Sequence, residues 1–509
     1  MKRREFMSLG GAALSAPAVM ARRPSSKRPN ILLLMADQLR GDCLGADGNN
    51  DIQTPNLDRL ASEGARFRCA YSSTPSCTPA RAALLTGLSP WHHGMLGYGQ
   101  IAEHYPVEMP RLLARAGYYA EVIGKCHYYP QRNLHGFEQA LLDESGRVES
   151  ADFRSDYRSW FWSVAPDLNP DKTGLSWNDY RGASYALPEE LHPTHWIGET
   201  AVRFLRKYQR SEPFFLKVSF ERPHSPYDPP QRFWTQYRDR DLPRAQVGDW
   251  AKRYAPRSGP GYEIWHGDLG EQQVRESRQG YYGNVSFVDE HIGRILEVLE
   301  RRKLLDETLI VFLSDHGDMT GDQHLWRKAY AYEPSARIAT LLRWPNGLLT
   351  AKRGQVLSQP VEIRDILPTL LDAAGGGAPD MKLDGQNLFD LIRGGAKWRE
   401  YIDLEHDVCY SPENHWNALT DGRQKYIFHA QNGAEQLFDL VNDPHELHDL
   451  APEPSHSETL LLWRRRLINH LAERGDRFVK KNGKLVLRPK SLLYSPNYPA
   501  RTGRAAGFL

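Results

Sequence analysis

The chain has 509 residues, 40% hydrophobic and 25% charged, enough to bury the core of one large domain or two unequal ones. Its 65 Lys and Arg against 63 Asp and Glu leave a formal net charge of +2, with no long basic run and no basic amphipathic helix. That balance excludes the electrostatic footprint of a nucleic-acid or membrane-surface binder.

The N-terminal residues 1–28 read as an address and linker. "KRREFMSLGGAALSAPAVMA" pairs Arg3 with Arg4, continues through Phe6 into an apolar stretch too short to span a bilayer, and ends in small residues at Ala18 and Ala21. This resembles a twin-arginine export signal, which predicts a periplasmic or secreted protein. No later segment has the roughly 18 uninterrupted apolar residues of a membrane helix. Cys43, Cys69, Cys77, Cys126 and Cys409 are odd in number and scattered, which argues against a disulfide framework or a metal knuckle. A reactive thiol in an oxidising compartment is lost unless it is paired or converted first, and export in the folded state leaves time for conversion.

Several apolar runs then end in polar clusters. Ile31–Met35 runs into Asp37 and Gln38, Ala120–Ile123 into Lys125 and His127, Phe214–Phe220 into Arg222 and His224, and Leu309–Leu313 into Asp315 and His316. Continuous apolar runs alternating with helical patterns predict buried parallel strands of an α/β sheet, whose ligand sites lie beyond the strands' carboxyl ends.

"PSCTPARAALLTGL" predicts a short helix with Pro79 at its first position and Gly87 closing it. Cys77 then sits at the positive end, where backbone N–H groups and Arg81 favour an anion or a thiolate. Residues 143–188, with Trp160, Trp162 and Trp177, read as a long functional loop. In "LPEELHPTHWIGETAVRFL", Thr194 is expected to cap an amphipathic helix, Trp196 to be core and His195 to touch substrate. "AAGGGAPDMK" reads as a linker and not as a phosphate loop. The tail concentrates His406, His415, Trp416 and Arg423.

Taken together, "CTPAR" with "LLTG", "GKCH" (Gly124 to His127), "RPHSPY" (Arg222 to Tyr227) and "SDHGD…GDQHLWRKAYAYE" (Ser314 to Glu333) resemble the type I, formylglycine-dependent sulfatases, in that family's order. The resemblance spans Asn30 to Pro379 and continues into "EQLFDLVNDPHELHDLA". It implies an alkaline phosphatase-like α/β fold: a mixed, mostly parallel sheet sandwiched by helices over 29–378, with a smaller C-terminal α+β domain over 379–509. It also implies sulfate ester hydrolysis, with Cys77 converted by a formylglycine-generating enzyme. A hydrate has the second hydroxyl that a serine lacks, so the enzyme–sulfate adduct can collapse to aldehyde and sulfate.

By the same resemblance, Asp37, Gln38, Asp315, His316 and residue 77 would hold a divalent metal, calcium first. Arg81, Lys125 and Lys328 would neutralise the sulfate, His127 assist the elimination, and His224 with Lys328 serve the departing alkoxide. Arg222, His324, His195 and His406 would contact a substrate, expected to be a sulfated carbohydrate.

Two departures matter. Many members carry aspartate where this chain has Gln38 and asparagine where it has His316, and an imidazole admits magnesium, manganese or zinc. Branches that cleave phosphonate monoesters or phosphodiesters resemble the Gln and His pairing. Those hydrolases are one alternative and a non-catalytic carbohydrate-binding paralogue is another; the intact Cys77, Arg81, Lys125, His127, His224, Asp315 and Lys328 argue against the second. Oligomeric state, and exo or endo mode, stay open at this stage.

Overall fold

The computed structural model describes residues 28–144, 153–376, 379–395 and 397–499; the export signal read at the N-terminus therefore lies almost wholly outside the described residues. Fourteen strands are described: β1 (Asn30–Asp37), β2 (Ala65–Phe67), β3 (Ala70–Tyr71), β4 (Tyr119–Gly124), β5 (Gln139–Leu142), β6 (Phe214–Pro223), β7 (Thr308–Ser314), β8 (Thr340–Arg343), β9 (Gln355–Leu357), β10 (Val361–Glu362), β11 (Ile402–His406), β12 (Trp416–Thr420), β13 (Gln424–His429) and β14 (Glu435–Asp439). Eight form the main sheet in the order β5-β4-β6-β1-β7-β8-β2-β9, with β8 antiparallel to both of its neighbours and every other pairing parallel. β3 pairs with β10, and β11 to β14 form an antiparallel meander.

Both faces of the central strands β4, β6, β1 and β7 are buried, which is why they read as largely apolar runs. Side chains alternate between faces: Ile31, Leu33 and Met35 of β1 join one core, and Leu32, Leu34 and Ala36 the other. Helices Cys77–Thr86, Met109–Arg115, Ile366–Ala373 and Leu388–Arg393 contribute to the first core; Pro55–Ser62, Pro193–Lys207 and Glu271–Arg301 cover the second. The expected α/β architecture is borne out, with the second sheet beginning at Ile402. Tyr71, Leu325 and Tyr330 share a core with Ile402, Leu404, Trp416 and Ala418, so the meander packs over the loop that follows β7. Among the described residues no helix is long and apolar enough to cross a membrane.

Segment 143–188 departs from the expected loop. Asp156–Val164 is a helix, capped by the Ser155 side chain, which accepts from Arg158 N at 3.2 Å. Its Tyr157 and Phe161 are buried, and Trp160 packs 6.5 Å from Trp196. Trp196 is core, as expected, but the cap of its helix is the His192 ring, whose Nδ1 accepts from Thr194 N at 3.1 Å.

Candidate active site

The neighbouring strands β4, β6, β1 and β7 end on one edge of the sheet and deliver Lys125, His224, Asp37 and Asp315 there. Consecutive strand residues face opposite sides, yet Asp37 and Gln38 both serve the cluster, because Gln38 adopts a left-handed backbone (φ 68°) just past the strand end. Its N–H donates to Asp315 Oδ1 at 3.0 Å and its carbonyl accepts from Tyr281 Oη at 2.6 Å, which holds the bend.

Helix Cys77–Thr86 starts two residues earlier than predicted: Cys77 is its first residue and Pro79 its third. Proline is tolerated there because the first-turn N–H groups lack intrahelical partners. Gly87 closes the helix in the left-handed region (φ 68°), as expected. Cys77 Sγ is fully buried, 3.1 Å from Lys328 Nζ, 3.2 Å from His316 Nε2 and 3.7 Å from Asp37 Oδ1. Burial and Asp37 push the thiol pKa up, but Lys328, His316 and Lys125 outweigh them and bring it to about 7. The helix terminus therefore presents a nucleophile position poised for negative charge.

Asp37, Cys77, Asp315 and His316 each offer a ligand atom, all within 4.8 Å of one another and all buried. His316 donates Nδ1–H to the Gly317 carbonyl at 2.9 Å, which turns the Nε2 lone pair toward the two carboxylates. Two carboxylates, an imidazole nitrogen and the Gln38 amide oxygen fit a divalent cation of mixed oxygen and nitrogen preference. Burial raises the Asp37 pKa, yet Lys125, His224, Lys328 and Arg81 hold it well below the usual carboxylate range.

Arg81 differs from expectation. Nε donates to Asp315 at 3.1 Å, the Nη2 group bridges Asp37 and Asp315 at 3.1 and 3.0 Å, and Nη1 reaches the Lys125 carbonyl at 2.6 Å and Ser219 Oγ at 3.1 Å. Its donors are consumed within the protein, so it braces the two carboxylates and has no N–H left to grip a sulfate. Lys125 Nζ lies 2.8 Å from Asp37, and Lys328 Nζ bonds Gln38 Oε1 at 2.9 Å. These two ammonium groups are the cations facing the nucleophile.

His127 is buried in a left-handed conformation (φ 57°), and neither ring nitrogen has a hydrogen-bond partner among the described residues. Burial, Lys125 and Arg81 keep it neutral, with its pKa well below the usual histidine value. Glu144 Oε1 accepts from Cys126 N and His127 N at 2.7 and 2.8 Å and so fixes that turn. His224 donates Nδ1–H to the Ser225 carbonyl at 2.7 Å, and its pKa too is driven well below normal by burial, Lys328 and Lys125. The Trp177 indole stacks on it (5.2 Å, 21°), with Lys125 Nζ 5.9 Å from the indole centroid.

The expected substrate contacts fare less well. Arg222 is buried in a bidentate pair with Asp228 (2.8 and 3.1 Å) and a bond to Glu221 (2.9 Å), so it anchors the β6 turn. His195 packs edge-on against His291 of the long helix Glu271–Arg301, among Glu199, Arg294 and Glu189, on the helical layer and not at the cluster. His324 sits half-buried in the turn Asp322–His324, which Gly267 N ties down through the His324 carbonyl at 2.8 Å. His406, at the end of β11, is buried with Nε2 2.8 Å from Ser76 Oγ, so it supports the residue before Cys77. Glu144 and Ser219 carry no motif spacing that singles them out; Trp177 was legible only as an aromatic in an irregular stretch.

This geometry can be set beside known proteins. The sulfatase family model matches residues 29–376. The chain belongs to the sulfatase family. A second family model, described as N-sulphoglucosamine sulphohydrolase, C-terminal, matches residues 321–473. An arylsulfatase of Clostridium perfringens is 38% identical over 92% of this chain and 99% of its own length. A choline-sulfatase of Rhizobium meliloti is 34% identical over 84% of this chain and 83% of its own. Among solved structures, the phosphonate monoester hydrolase of Agrobacterium radiobacter superposes with a TM-score of 0.73 at 26% identity, covering 88% of this chain and 96% of that one. The sulfatase is thus a sulfuric ester hydrolase of the alkaline phosphatase-like superfamily.

Proposed function

We propose that this sulfatase is exported and removes sulfate from a sugar hydroxyl, using a formylglycine made from Cys77 by a formylglycine-generating enzyme. The observation that carries the catalytic part is the buried thiol at a helix N-terminus, in contact with Lys328, His316 and Asp37. A formylglycine hydrate there supplies one hydroxyl to attack sulfur and a second whose deprotonation releases sulfate. A divalent cation held by Asp37, Gln38, Asp315 and His316 supplies positive charge to the sulfate oxygens; calcium is our first assignment and manganese the next. Lys125 and Lys328 neutralise the charge that grows in the transition state. His127, neutral and without a hydrogen-bond partner among the described residues, is the base for the second hydroxyl. His224 passes a proton to the departing alkoxide.

The sugar assignment is supported by the C-terminal match to a family named for N-sulphoglucosamine and by the Trp177 indole beside His224, a surface on which a sugar face can stack. The phosphonate monoester hydrolase likeness and the Gln38 and His316 pairing favour a second reading, activity on phosphonate monoesters or phosphodiesters.

The test has two parts. Mass spectrometry of the Cys77 peptide, from a host with the converting enzyme, should show loss of sulfur and gain of an aldehyde oxygen; full activity with an intact thiol overturns the mechanism. The converted enzyme is then assayed on sulfated glucosamine, an aryl sulfate, choline sulfate and an aryl phosphodiester. A kcat/KM highest for the phosphodiester selects the second reading, and one highest for choline sulfate overturns the sugar assignment.

A further inference from the structure

Gln38 stands where many sulfatases place a carboxylate, and an amide is an ambiguous ligand: one end accepts, the other donates. Here the two ends are told apart by their neighbours. Lys328 Nζ can only donate and lies 2.9 Å from Gln38 Oε1, while Gln38 Nε2 donates to Oδ2 of Asp318. Asp318 is completely buried. Its Oδ1 accepts from Thr320 N at 2.9 Å, its Oδ2 also accepts from the Tyr227 hydroxyl, and among the described residues it forms no ion pair with a cation. A buried carboxylate with three donors and no direct cation is costly to keep unless its charge is used nearby.

From this arrangement we infer that Asp318 is the positioning residue that makes Gln38 a metal ligand. It pins the NH2 end of the amide, so the carbonyl oxygen is the end that faces the cluster of Asp37, Asp315 and His316. Its negative charge on the far side of the amide also draws electron density toward that oxygen, in the way a carboxylate behind a ligating imidazole raises its basicity. The charge missing from position 38 is thereby supplied one residue further out. The inference rests on the metal reading above and concerns the pair Gln38 and Asp318 only.

The test is isothermal titration of the full chain, stripped by chelator, with Ca²⁺ and separately with Mn²⁺. Asp318→Asn should weaken metal binding about 10- to 100-fold, the usual effect of losing such an outer partner. Tyr227→Phe, which removes another hydrogen bond to the same oxygen but keeps the charge and the Gln38 contact, should stay within about threefold of wild type. Gln38→Asp alone sets two carboxylates against each other and should bind worse than Gln38→Asp combined with Asp318→Asn, which moves the charge onto the metal and should recover affinity. Equal losses in Asp318→Asn and Tyr227→Phe, or no recovery in a folded double variant, overturn the inference and leave Asp318 a packing residue. Failure of the wild-type chain to bind either metal overturns the metal reading and the inference with it.

Discussion

His224 donates its Nδ1 proton to the Ser225 carbonyl, lies against the Trp177 indole and is kept neutral first by burial, then by Lys328 and Lys125. In that form Nε2 carries a lone pair, so the ring must take up a proton before it can give one to an alkoxide. With its pKa driven below the ordinary value of about 6.5, the protonated fraction falls about tenfold for each pH unit above it. A sugar alkoxide needs that proton and an activated phenolate does not. For a sugar sulfate, kcat/KM should therefore decline as pH rises from about 6.5 to 8.5, while the profile for an activated aryl sulfate stays flat over that range. His224→Ala should cost the sugar substrate about 10²- to 10⁴-fold at pH 6 and the aryl substrate far less. Parallel profiles and equal losses would make His224 a sulfate ligand. Arg81→Ala belongs to another class: it removes the brace between Asp37 and Asp315, so both substrates should lose activity together and chelator should strip the metal more readily.

Strands set the spacing of the site, and one tight point is Gly124 at the end of β4. It has φ 98°, and a Cβ there would stand 2.1 Å from the Ser219 carbonyl oxygen of β6. Gly124→Ala should cost about 2–5 kcal/mol, combining left-handed strain with overpacking against backbone. It should also displace Lys125, whose N–H pairs with that carbonyl at 2.9 Å, and so cut turnover of the folded fraction at least about tenfold. Melting temperature and kcat measured on the same preparation check this; wild-type values for both would show that the strand pair yields without cost. The same elements show what sequence can tell. Asp37, Lys125, His224 and Asp315 were legible because each follows closely on an apolar run and ligand sites lie beyond the carboxyl ends of such strands, although β6 also buries Lys217 and Glu221 and β4 buries Glu121. The protein partners of His195 and Arg222 were not legible, for a related reason. Helical periodicity says that one face is buried but not against what, and an arginine at a strand end reads alike whether an internal Asp228 or a substrate satisfies it. The starting residue of helix Cys77–Thr86 slipped because Pro79 is allowed throughout a first turn.

Over the whole molecule, protonation couples the site to stability. Burial holds His93 at a pKa of about 3 and His406 and His429 at about 4, and also depresses His127, His192, His195, His224, His291 and His415. Each binds its proton in the unfolded chain below pH about 6.5 but not in the native one, so each takes stability away as pH falls through that value. Burial acts oppositely on Glu144, Asp289 and Glu446, raising all three to about 7; the native state keeps protons that the unfolded chain releases above about 4, and stability falls as pH rises across that window. His92 and His316, raised, add to the second group. Burial raises Glu221, Glu121, Asp318, Asp365 and Asp449 in the same sense, so near pH 5.5 nine depressed histidines narrowly outnumber eight raised carboxyls, and each net proton is worth about 1.4 kcal/mol per pH unit. Unfolding near pH 5.5 should therefore take up a small net number of protons, and the melting temperature should drop modestly from pH 6.5 to 5. His93 gives the cleanest single test: its Nδ1 accepts from Met95 N at 3.2 Å and its Nε2 is unpartnered among the described residues. His93→Asn can keep that acceptor without the titration, so by scanning calorimetry its melting temperature should fall less between pH 6.5 and 5 than the wild type's. A wild-type melting temperature that holds or rises on acidification would mean that the raised carboxyls govern, with the histidines finding protons inside the fold.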